Sequence, residues 1–113
     1  MKPEIAKQKL LDTLNQKLEF NRDFDRYFSN LKDSMQEELI KWCIDCKEGN
    51  AKGSVPKDFK DLFVFFRKIG NSIRCTLIKK QNSDFIEIHL TEHREYDDLR
   101  TKLGYKRSSY YGS

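Results

Sequence analysis

No run of about eighteen apolar residues occurs in this chain, nor does a basic stretch lead into an apolar one, so neither a membrane span nor a secretory leader is visible. A cytoplasmic location and no membrane partner are the default expectations. Walker loop, dinucleotide-binding glycine pattern, GxSxG and HExxH are all missing, which leaves nucleotide phosphoryl transfer and metalloprotease chemistry unsupported. Cysteine is scarce and odd in number: three residues in a chain without a leader point to reduced thiols, not a disulfide framework. Internal repeats and low-complexity blocks are also lacking. At 113 residues the chain has room for a single domain, 1–113, with one modest core.

Charge and aromatic side chains are plentiful. Charged residues make up 35%, and eight Phe, five Tyr and one Trp supply bulky core material. The net charge of +4 is unevenly placed: residues 1–50 carry nine bases and ten acids, residues 51–113 thirteen and eight. A surface for an anionic partner therefore belongs to the second half.

The stretch from Phe63 to Tyr96 organises that half. Leu62 to Ile69 is dense in Phe, Val and Ile, and Gly70-Asn71 suits a tight turn. Ser72 to Lys80 alternates, with Ile73, Cys75 and Leu77 on one face and Arg74, Thr76 and Ile78 on the other. After Gln81-Asn82-Ser83, Asp84 to Thr91 places Ile86, Ile88 and Leu90 on one face and Phe85, Glu87 and His89 on the opposite one. Connections this short imply an antiparallel meander across 62–91 with one apolar face. Between Leu62 and Ser83 stand five bases, Arg67, Lys68, Arg74, Lys79 and Lys80, and no acid. A face of one sign suits a polyanion such as RNA, though lysines also guard sheet edges against aggregation.

Ahead of the sheet, Met1 to about Phe20 reads as a helix with a stripe of Ile5, Leu10, Leu11, Leu14 and Leu18. A second stripe, Phe24, Phe28, Leu31, Met35, Leu39, Trp42 and Cys46, predicts another helix, with Asn21 or Asp23 as its N-cap. The expectation is an α+β fold: an N-terminal helical hairpin (1–48) packed on a small antiparallel sheet of three strands or more. A short C-terminal helix (92–104) carrying Tyr96, Leu99 and Leu103 and a basic, aromatic tail (105–113) complete it.

Cys43 and Cys46 with His89 and His93 could in principle hold zinc, but Cys46 continues the helical stripe and no second CxxC exists. Core thiols and no metal or other cofactor are expected. Arg74, Glu87 and His89, with His93 and Arg94 just past the strand, contain the groups that metal-free RNA cleavage needs: a base for the 2′-OH, cations for the phosphate and a donor for the leaving oxygen. A surface lattice of ion pairs would use the same residues.

The order of elements, with RKIGNSIRCTLIKK followed by IEIHLTEHREYDDL, resembles the RelE/ParE superfamily of toxins from toxin-antitoxin systems. Ile73-Arg74-Cys75-Thr76-Leu77-Ile78 looks like its basic-apolar strand, and His93-Arg94-Glu95-Tyr96 like its strand-end basic pair and following tyrosine. The resemblance implies a ribosome-dependent endoribonuclease that cuts mRNA through the message's own 2′-OH, with an acidic antitoxin protein as partner. It further implies that Arg74 and Arg94 hold the scissile phosphate and that Tyr96 or His93 serves as base, with Tyr105, Tyr110 and Tyr111 as further candidates. Arg67, Lys68, Lys79, Lys80, Glu87 and His89 would contact RNA. A non-catalytic binding relative, of the gyrase-inhibiting or plain interaction kind, is the alternative. Members usually open with a strand that pairs into the sheet before the hairpin; here Met1 to Leu11 reads helical, so that strand is expected to be missing.

Overall fold

A computed structural model describes residues 1–105. The order is α1 (Pro3–Leu14), β1 (Lys17–Phe20), α2 (Phe24–Ser29), α3 (Asp33–Glu48), β2 (Leu62–Ile69), β3 (Ile73–Lys80), β4 (Phe85–Glu92) and α4 (His93–Lys102). The fold is α+β. One four-stranded sheet runs β1-β4-β3-β2, antiparallel except that β1 lies parallel to β4.

The meander follows the alternation read from the sequence, but the first fifty residues differ from it. The first helix stops at Leu14 instead of Phe20, because Asn15 turns into the left-handed region (φ 51°) and reverses the chain. Lys17 to Phe20 then pairs with Phe85 to Ile88, so the chain opens with a helix as expected, and a short strand that the sequence reading places inside that helix joins the sheet after it. Leu18 and Phe20 face the core, which is the same burial that a helical stripe would give them. The second helix is likewise two: α2 ends at Ser29 and α3 begins at Asp33 after Asn30 to Lys32. Its stripe is kept across the break, since Phe28, Leu31 and Met35 all pack inward. Asp23 is the N-cap of α2 without a side-chain cap bond. Asn21 works elsewhere: its Nδ2 donates to the Leu90 carbonyl (2.9 Å) and its Oδ1 accepts from the Leu90 amide (2.8 Å). One amide side chain thus extends the β1–β4 ladder past Phe20 and ties the start of α2 to the sheet.

The main core lies between α1–α3 and the sheet face carrying Phe65, Ile69, Cys75, Leu77, Ile86, Ile88 and Leu90. Leu10 and Leu14 of α1, Phe24 and Phe28 of α2, and Leu39 and Cys43 of α3 meet it fully buried. Gly49 ends α3 at φ 80°, a conformation that costs any residue with a Cβ.

The other face is also apolar in part, contrary to the one-faced sheet the sequence suggests. Val64 and Ile78 are buried there, with Leu62 and Phe66 beside them, because α4 lies across β3 and β4 and brings Leu99 and Leu103 down onto them. Phe66 meets Tyr96 and Tyr105 edge-on, at 5.6 and 5.1 Å between ring centres. The Arg100 guanidinium lies 4.5 Å from the Phe66 ring centre and within 5.6 Å of both tyrosine rings, a cation caged by three aromatic faces.

Candidate functional site at the turn end of the sheet

The register brings several of the expected residues to one end of the sheet, next to the β2–β3 turn. Arg74 stands opposite Lys68 on one side and Thr91 on the other, and Ile73 stands opposite Glu92. His93 and Arg94 follow at once as the first residues of α4. Arg74, Lys68, His93 and Arg94 are therefore neighbours in the fold, as their strand positions imply.

Their side chains do not converge. Arg74 is only 6% exposed, and its Nη1 donates to the carbonyls of Asn71 (3.4 Å) and Ile73 (3.3 Å) within its own turn. No carboxylate pairs with it among the described residues. Its place under α4 explains this: the helix that the sequence sets beside the sheet lies on top of the strand's polar side. Tyr96 is 8% exposed, held in the aromatic cluster around Arg100. His93 Nε2 lies 3.2 Å from the Asp97 carboxylate one helical turn on, an ion pair when the imidazole is protonated, while Nδ1 is buried without a partner among the described residues. Arg94 alone of the four expected catalytic residues is exposed.

The expected basic face is not one face. Arg67 and Lys79 alternate onto the side of the helices, and Arg67 forms an ion pair with Glu38 of α3 at 3.3 Å. Parity assigns this directly: Arg67 sits two residues from Phe65 and Ile69, both in the main core. Lys68 and Lys80 are exposed on the α4 side but at opposite ends of the sheet.

Glu87 and His89 share the α4 side as expected, with His89 Nε2 donating to Glu87 Oε1 at 2.9 Å. That contact orients the imidazole. His89 borders a cleft of about 470 Å³ between β4 and α4. Arg22 and Lys102 line it, but so do Asp23, Glu95 and Asp98, so the cleft lacks the cationic excess a phosphate chain needs.

Two groups escaped the sequence reading. Asp97 is buried against His93, and the i,i+4 spacing of the pair was the available signal. Tyr27 of α2 donates its hydroxyl to Glu95 of α4 at 2.9 Å, clamping the two elements at this end. Burial first, and then the Glu95 carboxylate, push the Tyr27 phenol up to about 12.

Cys43, Cys46 and Cys75 are free and buried in the main core, and burial pushes the Cys46 and Cys75 thiols well up. Among the described residues no group of three or more His, Cys, Asp or Glu is placed to hold a metal ion, and no helix is long and apolar enough to cross a membrane. No protein-family model, curated protein or solved structure matches the chain.

Proposed function

We propose that the chain is a RelE/ParE-like protein that acts by binding a nucleic-acid target rather than by cutting it. The likeness is supported by the order from β1 onward, a strand paired into the sheet ahead of two helices, the meander and the terminal helix, with α1 preceding them as a departure. The observation that carries the non-catalytic reading is the division of the phosphate-cleaving set: Arg74 and Tyr96 buried, Arg94 on the surface. Transition-state stabilisation requires donors aimed at one point, and these three are not. Exposed Lys68 and Arg94 at the turn end are what remains to meet a phosphate backbone, in a cytoplasmic setting with an acidic antitoxin protein as the natural antagonist.

Purified protein in an in vitro translation reaction, with message ends mapped by primer extension, tests the reading. The expected result is inhibition with intact messages, relieved by Lys68→Glu/Arg94→Glu and weakened as salt rises. A second reading, the ribosome-dependent endoribonuclease, is favoured by the register that gathers Arg74, His93 and Arg94 at one end. It requires cuts that appear only with ribosomes and vanish in Arg74→Ala/Arg94→Ala with the fold intact. Such cuts would overturn the binding-only proposal.

A further inference from the structure

A cleft of about 390 Å³ opens between the β2–β3 turn and the α2–α3 connection, on the side of the sheet that carries the main core. Leu31, Met35, Ile69 and Ile73 make its inside apolar, where the edge of that core reaches the surface. Asn30, Asn71 and Ser72, all exposed, bring polar groups to its mouth. Arg26, Lys32 and Glu92 complete the rim. Arg26 is held in place there. Its guanidinium lies over the Tyr27 ring, 4.7 Å from the centre, donates from Nη2 to the Tyr27 hydroxyl at 3.3 Å and pairs with Asp23 Oδ2 at 3.4 Å. Tyr27 is fixed in turn by its bond to Glu95. A long side chain that normally swings is thus set at the cleft, with 62% of its surface still facing solvent.

Each part of this arrangement meets one part of a nucleotide. A fixed, flat guanidinium is a stacking surface for a base taken out of its strand. The apolar inside suits the base's rings, and the Asn30 and Asn71 amides both donate to and accept from its polar edge. Lys32 stands beside them for a phosphate. Lys68 and Arg94, at the same end of the sheet but on the α4 side, carry the line of cations on around the turn. Glu92 disfavours a bare inorganic anion in the cleft, whereas an exocyclic amine or a ribose hydroxyl can donate to it. Extraction from a duplex costs base pairing as well as stacking, so an unpaired base is the better fit. Tyr96 and Tyr105 are engaged with Phe66 on the α4 side, away from this cleft, and Tyr110 and Tyr111 lie outside the described residues.

We propose that this cleft receives one unpaired base of a bound strand, stacked on Arg26 with its polar edge toward Asn30 and Asn71. The inference rests on the nucleic-acid reading above. It adds to that reading a preference for single strands and a seat for the base on the side of the sheet away from α4.

Short oligonucleotides carrying one 2-aminopurine, a base whose fluorescence rises when it leaves the stack, test the site with the full chain. They are used in ribose and deoxyribose form, each as single strand and as duplex. The single strand is expected to bind about tenfold more tightly than the duplex, with a rise in fluorescence on binding. Arg26→Lys keeps the charge and removes the flat face, and Asn30→Ala/Asn71→Ala alters exposed positions only. Each is expected to lose the rise and about tenfold in affinity, at unchanged circular dichroism and unchanged salt slope. A response confined to the ribose strand supports the site and gives Glu92 the 2′-hydroxyl; an equal response in both supports it with the base alone recognised. Equal binding of single strand and duplex without a fluorescence change would overturn the inference and leave backbone binding at the turn end standing. A rise that survives in both variants would also overturn it, since the base would then sit elsewhere. Absence of binding by every oligonucleotide would overturn the inference and the nucleic-acid reading together.

Discussion

Arg74, expected to hold a phosphate, has a structural place in the fold. Its aliphatic stem fills space under α4 and its guanidinium closes the β2–β3 turn on two carbonyls. Arg74→Ala is expected to cost about 2 kcal/mol, read as a lower urea midpoint at unchanged slope, whereas exposed Arg94→Ala stays within about 0.5 kcal/mol. Any loss of function in Arg74→Ala must be judged against that shift; a loss in Arg94→Ala is free of it. Tyr27 supplies a pH dependence. Its folded pKa of about 12 lies above the ordinary 10.0, so the folded state keeps a proton that the unfolded state gives up. The Tyr27 contribution is fully present below pH 10 and is lost as pH rises toward 12, at up to about 1.4 kcal/mol per pH unit. Cys46 and Cys75, also raised, add a slope of the same sign that begins lower, near the ordinary thiol range. Urea unfolding between pH 8 and 11 checks this: Tyr27→Phe is expected to flatten the fall above pH 10 and leave the thiol part unchanged.

Among the elements, legibility followed the strength of the local period. β3 and β4 were readable nearly to the residue, because eight-residue strands with buried Ile, Cys and Leu at every second position match no helical spacing. β1 was not, because its four residues, KLEF, place Leu18 four positions after Leu14 and so continue the stripe of α1 as well as a strand would. The break between α2 and α3 was hidden for the same reason, with no Gly or Pro to mark it and an unbroken run of inward Phe28, Leu31 and Met35. The second apolar face had a signal, Val64, Phe66 and Ile78 at alternate positions, outweighed in the reading by the bases interleaved with them. The site was legible as a neighbourhood, since register follows from short turns. Its side-chain directions were not, since they depend on where α4 lands. Asn21 carries the junction that the sequence concealed. Asn21→Ala removes both bonds to Leu90 and is expected to cost about 1–3 kcal/mol. Asn21→Asp keeps the acceptor but turns a carboxylate toward the Leu90 carbonyl, so it should cost at least as much. Urea midpoints of the two variants check the order.

For the whole molecule, the strand order decides which parts open first. β3 and β4 are central, β4 pairs with β1 only after α2 and α3 have been bypassed by some sixty residues of chain, and β1 is a four-residue edge strand. The antiparallel pairs β2–β3 and β3–β4 close through turns of three and four residues, so their loop-closure cost is small. The parallel pair gains four residues of ladder for a much longer closure, and it holds because Leu18 and Phe20 are packed on the main core and Asn21 bonds to Leu90. Edge pairing of this kind opens below the global unfolding free energy. Native-state hydrogen exchange is therefore expected to be slowest at Cys75, Leu77 and Ile88, with the exchange free energy equal to that of global unfolding, and distinctly faster at Lys17, whose amide donates to Asp84 at the sheet margin. In Asn21→Ala the gap between Lys17 and Leu77 should widen, because the substitution loosens the parallel pair before it touches the meander. Equal protection of Lys17 and Leu77 in both chains would mean that β1 unfolds only with the whole domain, and that the long closure is held by the helical core and not by the Asn21 junction.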